Sequence, residues 1–361
     1  MNPAEPIEAP VRESPLRVWG GRLIKGAIAV LTLYFTWRFL THTDFEWSNL
    51  AERVEQARAS YVALGVGLLL VRYFIWDWRF RLATRLAVGR DSGPVLGFFV
   101  LLASAALNLI TPTARVLGGL MRARYFARAN RRPFGFLYGV VLYDQIAHHA
   151  VMSVCTWMTL IGTAFVLGRK GLGIAALAAL VASAAALWIW GRRQGPFEQS
   201  PIVLFLARRA ERTEGRLRKM LAHGHEAVGV FVKLLGFAPL RLQAAVLGVI
   251  YFLVNAAAQW AMFVAIGAPV DPFVVLSVVA LGTAVGTLSG APGGLGATEL
   301  AMMASFKMMG VDEVTAAAGT LLYRGLHYAA VLAIGLPALG FLEWRAGGRE
   351  EKDAITGDPR P

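Results

Sequence analysis

The chain has 361 residues, of which 56% are hydrophobic and only 16% charged, with a formal net charge of +13. Soluble domains carry about 25% charged residues, so this balance excludes an ordinary water-facing domain of any size. The basic residues sit in short segments between apolar runs, which argues for membrane orientation and against a nucleic-acid partner. The single cysteine, Cys155, excludes a disulfide within the chain and a zinc or iron–sulfur site built from thiolates.

In chain order, residues 1–22 are rich in Pro and Glu and read as a disordered cytoplasmic tail. A bilayer core needs about 20 apolar residues per helix. Leu23–Leu40, Ala59–Trp76, Phe136–Leu167, Gly171–Gly191, Leu240–Ile266 and Ala316–Leu342 meet that need. The first of these follows a long polar tail with no small-residue cleavage site after it, so it reads as a retained helix.

Two apolar regions break off instead of spanning. Pro94–Ile110 runs into Thr111-Pro112-Thr113 and resumes as a basic helix to Arg132. Pro272–Gly290 runs into Ala291-Pro292-Gly293-Gly294 and resumes as Leu295–Met309. Each reads as a re-entrant or broken helical hairpin. A basic stretch, 192–237, joins a first membrane half (23–191) to a second (238–342), and 343–361 forms a cytoplasmic tail. The stretch reads either as a topology-enforcing linker or as an interfacial helix drawn to anionic lipid.

With the N-terminus cytoplasmic and both hairpins re-entrant, 26 Lys and Arg fall on the cytoplasmic side and four (Arg53, Arg58, Arg169, Lys170) opposite. Pro112 and Pro292 break the hairpins 180 residues apart, and Phe136 and Ala316 open the next spans at the same offset. The expected fold is therefore an all-α integral membrane protein with six spanning helices and two hairpins, arranged as an inverted-topology repeat.

Chemistry concentrates at the breaks. Pro292, Gly293, Gly294 and Gly296 cannot continue a helix, and they let the backbone turn tightly before a half-helix whose positive end can hold a phosphate or carboxylate. Glu299 falls in that helix's first turn, either as a cap favoured by the dipole or as a functional acid at membrane depth. In the first break Asn108, Pro112 and Gly118 shape the turn. Arg115 and Arg122, seven apart on one helical face, either grip an anionic headgroup or mark the interface. Asp144 and His148 share a face of an apolar span, with Arg324 and His327 as counterparts, Arg324 lying 180 residues after Asp144. They read as a structural pair or a proton relay; a metal site has no second ligand set at sensible spacing. The repeat predicts that Asp144 and Arg324 face each other and pair across the midplane.

Pro292, Gly293, Gly294, Gly296 and Glu299 resemble the Pro-Gly-Gly-x-Gly turn and following Glu of the flippase-like family known as the lysylphosphatidylglycerol synthase transmembrane region. Asn108, Pro112, Gly118 and Arg122 resemble its earlier motif, with Gly119 standing where the family often has an acidic residue. The chain ends about twenty residues after the last span, so the resemblance implies the membrane module without the synthase domain. It also implies movement of a lipid or lipid-linked molecule with an anionic headgroup across the cytoplasmic membrane. No cofactor is expected, nucleophile and nucleotide-binding motifs are absent, and a homo-oligomer is compatible. An enzyme acting on lipid headgroups and an ion-coupled solute transporter stand as alternatives.

Overall fold

A computed structural model of the chain describes residues 52–90, 93–111, 116–166, 168–171, 173–178, 180–182, 208–209, 215–289 and 292–356. The described residues form helices and turns, without strands. Nine helices organise them: α1 (Ala59–Val88), α2 (Pro94–Ile110), α3 (Val116–Asn130), α4 (Phe134–Val166), α5 (Gly215–Gly236), α6 (Ala238–Ala265), α7 (Pro272–Leu288), α8 (Ala297–Met308) and α9 (Glu313–Thr356). Among the described residues three helices are long and apolar enough to cross a membrane: Ala59–Val88, Ala238–Ala265 and Glu313–Trp344.

Local chemistry sets the ends. Gly89 takes the left-handed conformation after α1 and donates its N–H to the Arg85 carbonyl at 2.8 Å. Pro94 and Pro272 open α2 and α7, where a missing N–H costs nothing. Asp271 caps α7, accepting from the Phe273 N–H at 2.7 Å.

α2 and α7 have 17 residues each, about 26 Å of helix against a hydrocarbon core of about 30 Å. α2 packs back on α3 and α7 on α8, so the chain reverses at each break. Helix contacts come in matched sets: α2 with α9 and α7 with α4, α1 with α4 and α6 with α9, α1 with α2 and α6 with α7. The pairing of α1 with α6 is the most extensive and is its own counterpart. Aromatic packing follows the same rule. Phe80 meets Phe126 with ring centroids 4.8 Å apart, and Phe263 meets Phe306 at 4.7 Å.

Expected spans 136–167 and 240–266 match α4 and α6 within two residues. Leu23–Leu40 and the end of Gly171–Gly191 lie outside the described residues. Two expectations need correction. α1 continues well past Trp76, so Arg79 is a buried residue of the bundle and no cytoplasmic marker. The basic stretch ends in α5, which docks on α4 with Ala227 and Leu234 buried, so that part is no free linker. At its other end Leu217 and Met220 remain exposed beside Arg218 and Lys219.

Candidate functional site

The site begins with a cation inside α1. Arg72 follows an apolar run from Leu68 to Val71 and is only 4% exposed. Its side chain donates to the Asn255 amide oxygen, to the Tyr323 hydroxyl at 3.3 Å and to His327 Nε2 at 2.9 Å. His327 Nε2 also lies 2.8 Å from the Tyr73 hydroxyl. The guanidinium sits over the rings of Tyr73 and Tyr251, at 4.8 and 5.5 Å. All these partners are neutral, its Nε has no partner, and among the described residues no carboxylate forms an ion pair with it. A buried guanidinium without a counter-ion is expensive to maintain, and such residues mark functional sites.

Two ion-pair clusters flank this cation. In the first half Asp144 of α4 accepts from Arg79 Nε at 2.9 Å, from Arg122 at 3.0 Å and from the Trp76 indole at 2.8 Å. Arg79 reaches His148 Nδ1 at 3.3 Å, and the His148 ring stacks on Trp76 at 5.4 Å between centroids. In the second half Glu299 of α8 accepts from Arg324 Nε of α9 at 2.6 Å and from the Tyr328 hydroxyl at 3.2 Å. Arg324 donates to the Gly293 carbonyl at 3.0 Å and to Tyr328. The halves thus use one construction with the charges exchanged: Arg122 of α3 with Asp144 of α4, then Glu299 of α8 with Arg324 of α9.

No ion pair joins Asp144 to Arg324, in contrast to the expected direct pair: Asp144 pairs with Arg79 and Arg122, and Arg324 with Glu299. Glu299 lies in the first turn of α8, where the helix dipole favours a carboxylate, and that carboxylate also pairs with Arg324.

The breaks position these groups through small residues. Asn108 accepts the Gly118 N–H at 3.0 Å, tying the tip of α2 to the start of α3. A Cβ on Gly118 would collide with Asn108 and with the Ser104 carbonyl, so only glycine allows this approach. Gly293, at φ 58, presses against Leu109 of the other hairpin and offers its carbonyl to Arg324. Pro292 opens the short 3-10 turn shared with Gly293 and Gly294, and Gly296, at φ 78, precedes α8. Pro112 and Arg115 lie outside the described residues. Asn108→Ala is expected to lower stability by about 1 kcal/mol through the loss of this bond, read as a lower unfolding midpoint in detergent.

Where the tips meet there is a cavity of about 130 Å³. Arg72, Trp76, Asn108, Gly293, Thr298 and Arg324 line it, with His148 and His327 also on its wall. Drug-sized pockets run to about 300–1,000 Å³, so this one suits a compact polar group and not a whole lipid. Among the described residues the wall carries two guanidiniums and no carboxylate.

Of the residues singled out in the sequence, Asn108, His148, Gly293, Arg324 and His327 stand on this wall, together with Arg72, Asn255 and Tyr251, which the sequence did not single out. Arg72 carried a readable signal, a charge inside the 59–76 apolar run.

The chain resembles a UPF0104 membrane protein of Methanothermobacter thermautotrophicus, with 24% identity over 303 residues, covering 81% of this chain and 88% of that one. The family described as lysylphosphatidylglycerol synthase TM region matches residues 22–335. Over that whole extent, which takes in both hairpins and the cavity between them, this multi-pass integral membrane protein belongs to the lysylphosphatidylglycerol synthase TM region family.

Proposed function

We propose that the protein moves the headgroup of a lipid or lipid-linked molecule between the leaflets of the cytoplasmic membrane, with both termini cytoplasmic and the lipid chemically unchanged. The observation that carries this reading is the carboxylate-free cavity at the meeting of the two hairpin tips, with Arg72 uncompensated on its wall. Matched helix pairings and exchanged ion pairs support a two-fold relation of the halves, which in the membrane plane makes an inverted repeat. In such repeats the substrate sits near the midplane between broken helices, and rocking of one half against the other exposes it alternately.

An acid–base enzyme is the weaker reading, because Asp77, Asp144 and Glu299 are all engaged in ion pairs with arginines. Proteoliposomes holding a lipid with a fluorescent headgroup in the inner leaflet separate the two. The expected result is protein-dependent loss of signal to an outside quencher, with the lipid recovered intact. A new covalent product with no change in leaflet would overturn the reading.

A further inference from the structure

The wall of the cavity says which headgroups it takes. Among the described residues four buried guanidiniums (Arg72, Arg79, Arg122, Arg324) stand against three buried carboxylates (Asp77, Asp144, Glu299). One positive charge is left over among these buried groups, and Arg72, the member of the four with no acidic partner among the described residues, lines the cavity. A phosphate supplies the missing charge, and its planar pairs of oxygens suit a guanidinium. Arg72 is 4% exposed, and its Nε is a buried donor without a hydrogen-bond partner, a geometry that suits an oxyanion.

The remainder of the wall has a different character. Tyr73, Tyr251, Tyr323, Asn255, Thr283 and Thr298 contribute hydroxyls, an amide and ring faces. These groups suit hydroxyl-bearing glycerol or sugar. An ammonium needs a carboxylate, and none of the described residues of the wall supplies one. Asp144 and Glu299 stand behind it, each already held by arginine. Next to two guanidiniums, an added ammonium would meet like charge in a poorly solvated space.

Resting on the translocation reading above, we propose that the site recognises a phosphate-bearing headgroup whose remaining part is uncharged and hydroxylated, and that it discriminates against headgroups carrying an amine. Arg72 contacts the phosphate, and Arg324 supports it from the second hairpin. The family's descriptive name contains an aminoacyl lipid; on this proposal the chain's own site does not accept one.

The test is equilibrium binding to the purified full chain in detergent, which reads selectivity independently of any movement between leaflets. The probes are dihexanoyl-phosphatidylglycerol, dihexanoyl-phosphatidylethanolamine and inorganic phosphate. The glycerol lipid should bind at least about tenfold more tightly than the ethanolamine lipid. It should also bind more tightly than free phosphate, and Arg72→Gln should weaken it by roughly 10- to 100-fold. Equal or tighter binding of the ethanolamine lipid would overturn the proposal. Free phosphate binding as well as the lipid would overturn it too, making the ligand a soluble anion. If Arg72→Gln does not fold, the wild-type comparison still decides the class. Selective binding without leaflet exchange would sink the translocation reading alone, and exchange with amine preference would sink this proposal alone.

Discussion

Asp144→Ala is expected to destabilise the protein by about 3–5 kcal/mol, because it strands two buried guanidiniums at once. Arg79 and Arg122 are 3% and 1% exposed, and both turn their charge on this carboxylate. Without it they repel each other in a space that water cannot enter. The loss is a large fraction of the stability of an ordinary domain, so a sharp fall in folded yield and unfolding midpoint should follow. Asp144→Ala combined with Arg122→Ala should recover part of the loss, since one stranded charge goes with it. Asp144→Ala combined with Arg324→Ala should recover nothing and add a second deficit, because Arg324 belongs to Glu299. Rescue by Arg324→Ala would show that the two halves share one ion-pair network.

Arg72→Met is expected to separate stability from activity. The change removes a buried cation that has no counter-ion, and methionine fills similar space with an apolar stem. The neutral partners lose little. Tyr323 still donates to Asn255 at 2.6 Å and Tyr73 still reaches His327 at 2.8 Å. The unfolding midpoint should therefore stay level or rise, while headgroup movement falls by roughly 10- to 100-fold, the loss of a charge-assisted contact. A fall in both together would make Arg72 a structural residue. Unchanged movement in a folded variant would place the anion contact elsewhere.

Hydropathy located the elements well where apolar length alone decided them. α4 and α6 were readable to within two residues, and both breaks were read from Pro and Gly. The reading failed at Trp76 for an identifiable reason. The sequence Asp77-Trp78-Arg79-Phe80-Arg81 looks like a charged helix end, so the apolar window stopped there. In the fold those charges are paired internally: Arg81 donates to Asp77 at 2.8 Å, and Arg79 is drawn to Asp144. A charge run inside a bundle and one outside it have the same composition, and only the partner tells them apart. Partner choice was also where the symmetry argument went astray. An offset of 180 residues makes Asp144 and Arg324 equivalent, but equivalence does not make two residues neighbours. Each hairpin brought its own opposite charge, Arg122 in one half and Glu299 in the other. That exchange was open to inspection in the sequence, since Gly119 and Glu299 are 180 apart and Arg122 has Met302 at the same offset.

On the translocation reading, two hairpins enter the membrane from opposite faces and meet at one anion-binding cavity. Cysteine labelling in intact cells or sealed vesicles tests it most directly, on a Cys155→Ala background that removes the free thiol. Arg131 follows the end of the first hairpin and Lys307 lies near the end of the second, and both are exposed. With the first hairpin entering from the cytoplasm, Arg131→Cys should react only with a membrane-permeant reagent. Lys307→Cys should also react with an impermeant reagent applied outside. Labelling of both from the same face would contradict the inverted arrangement and, with it, alternating access to the site.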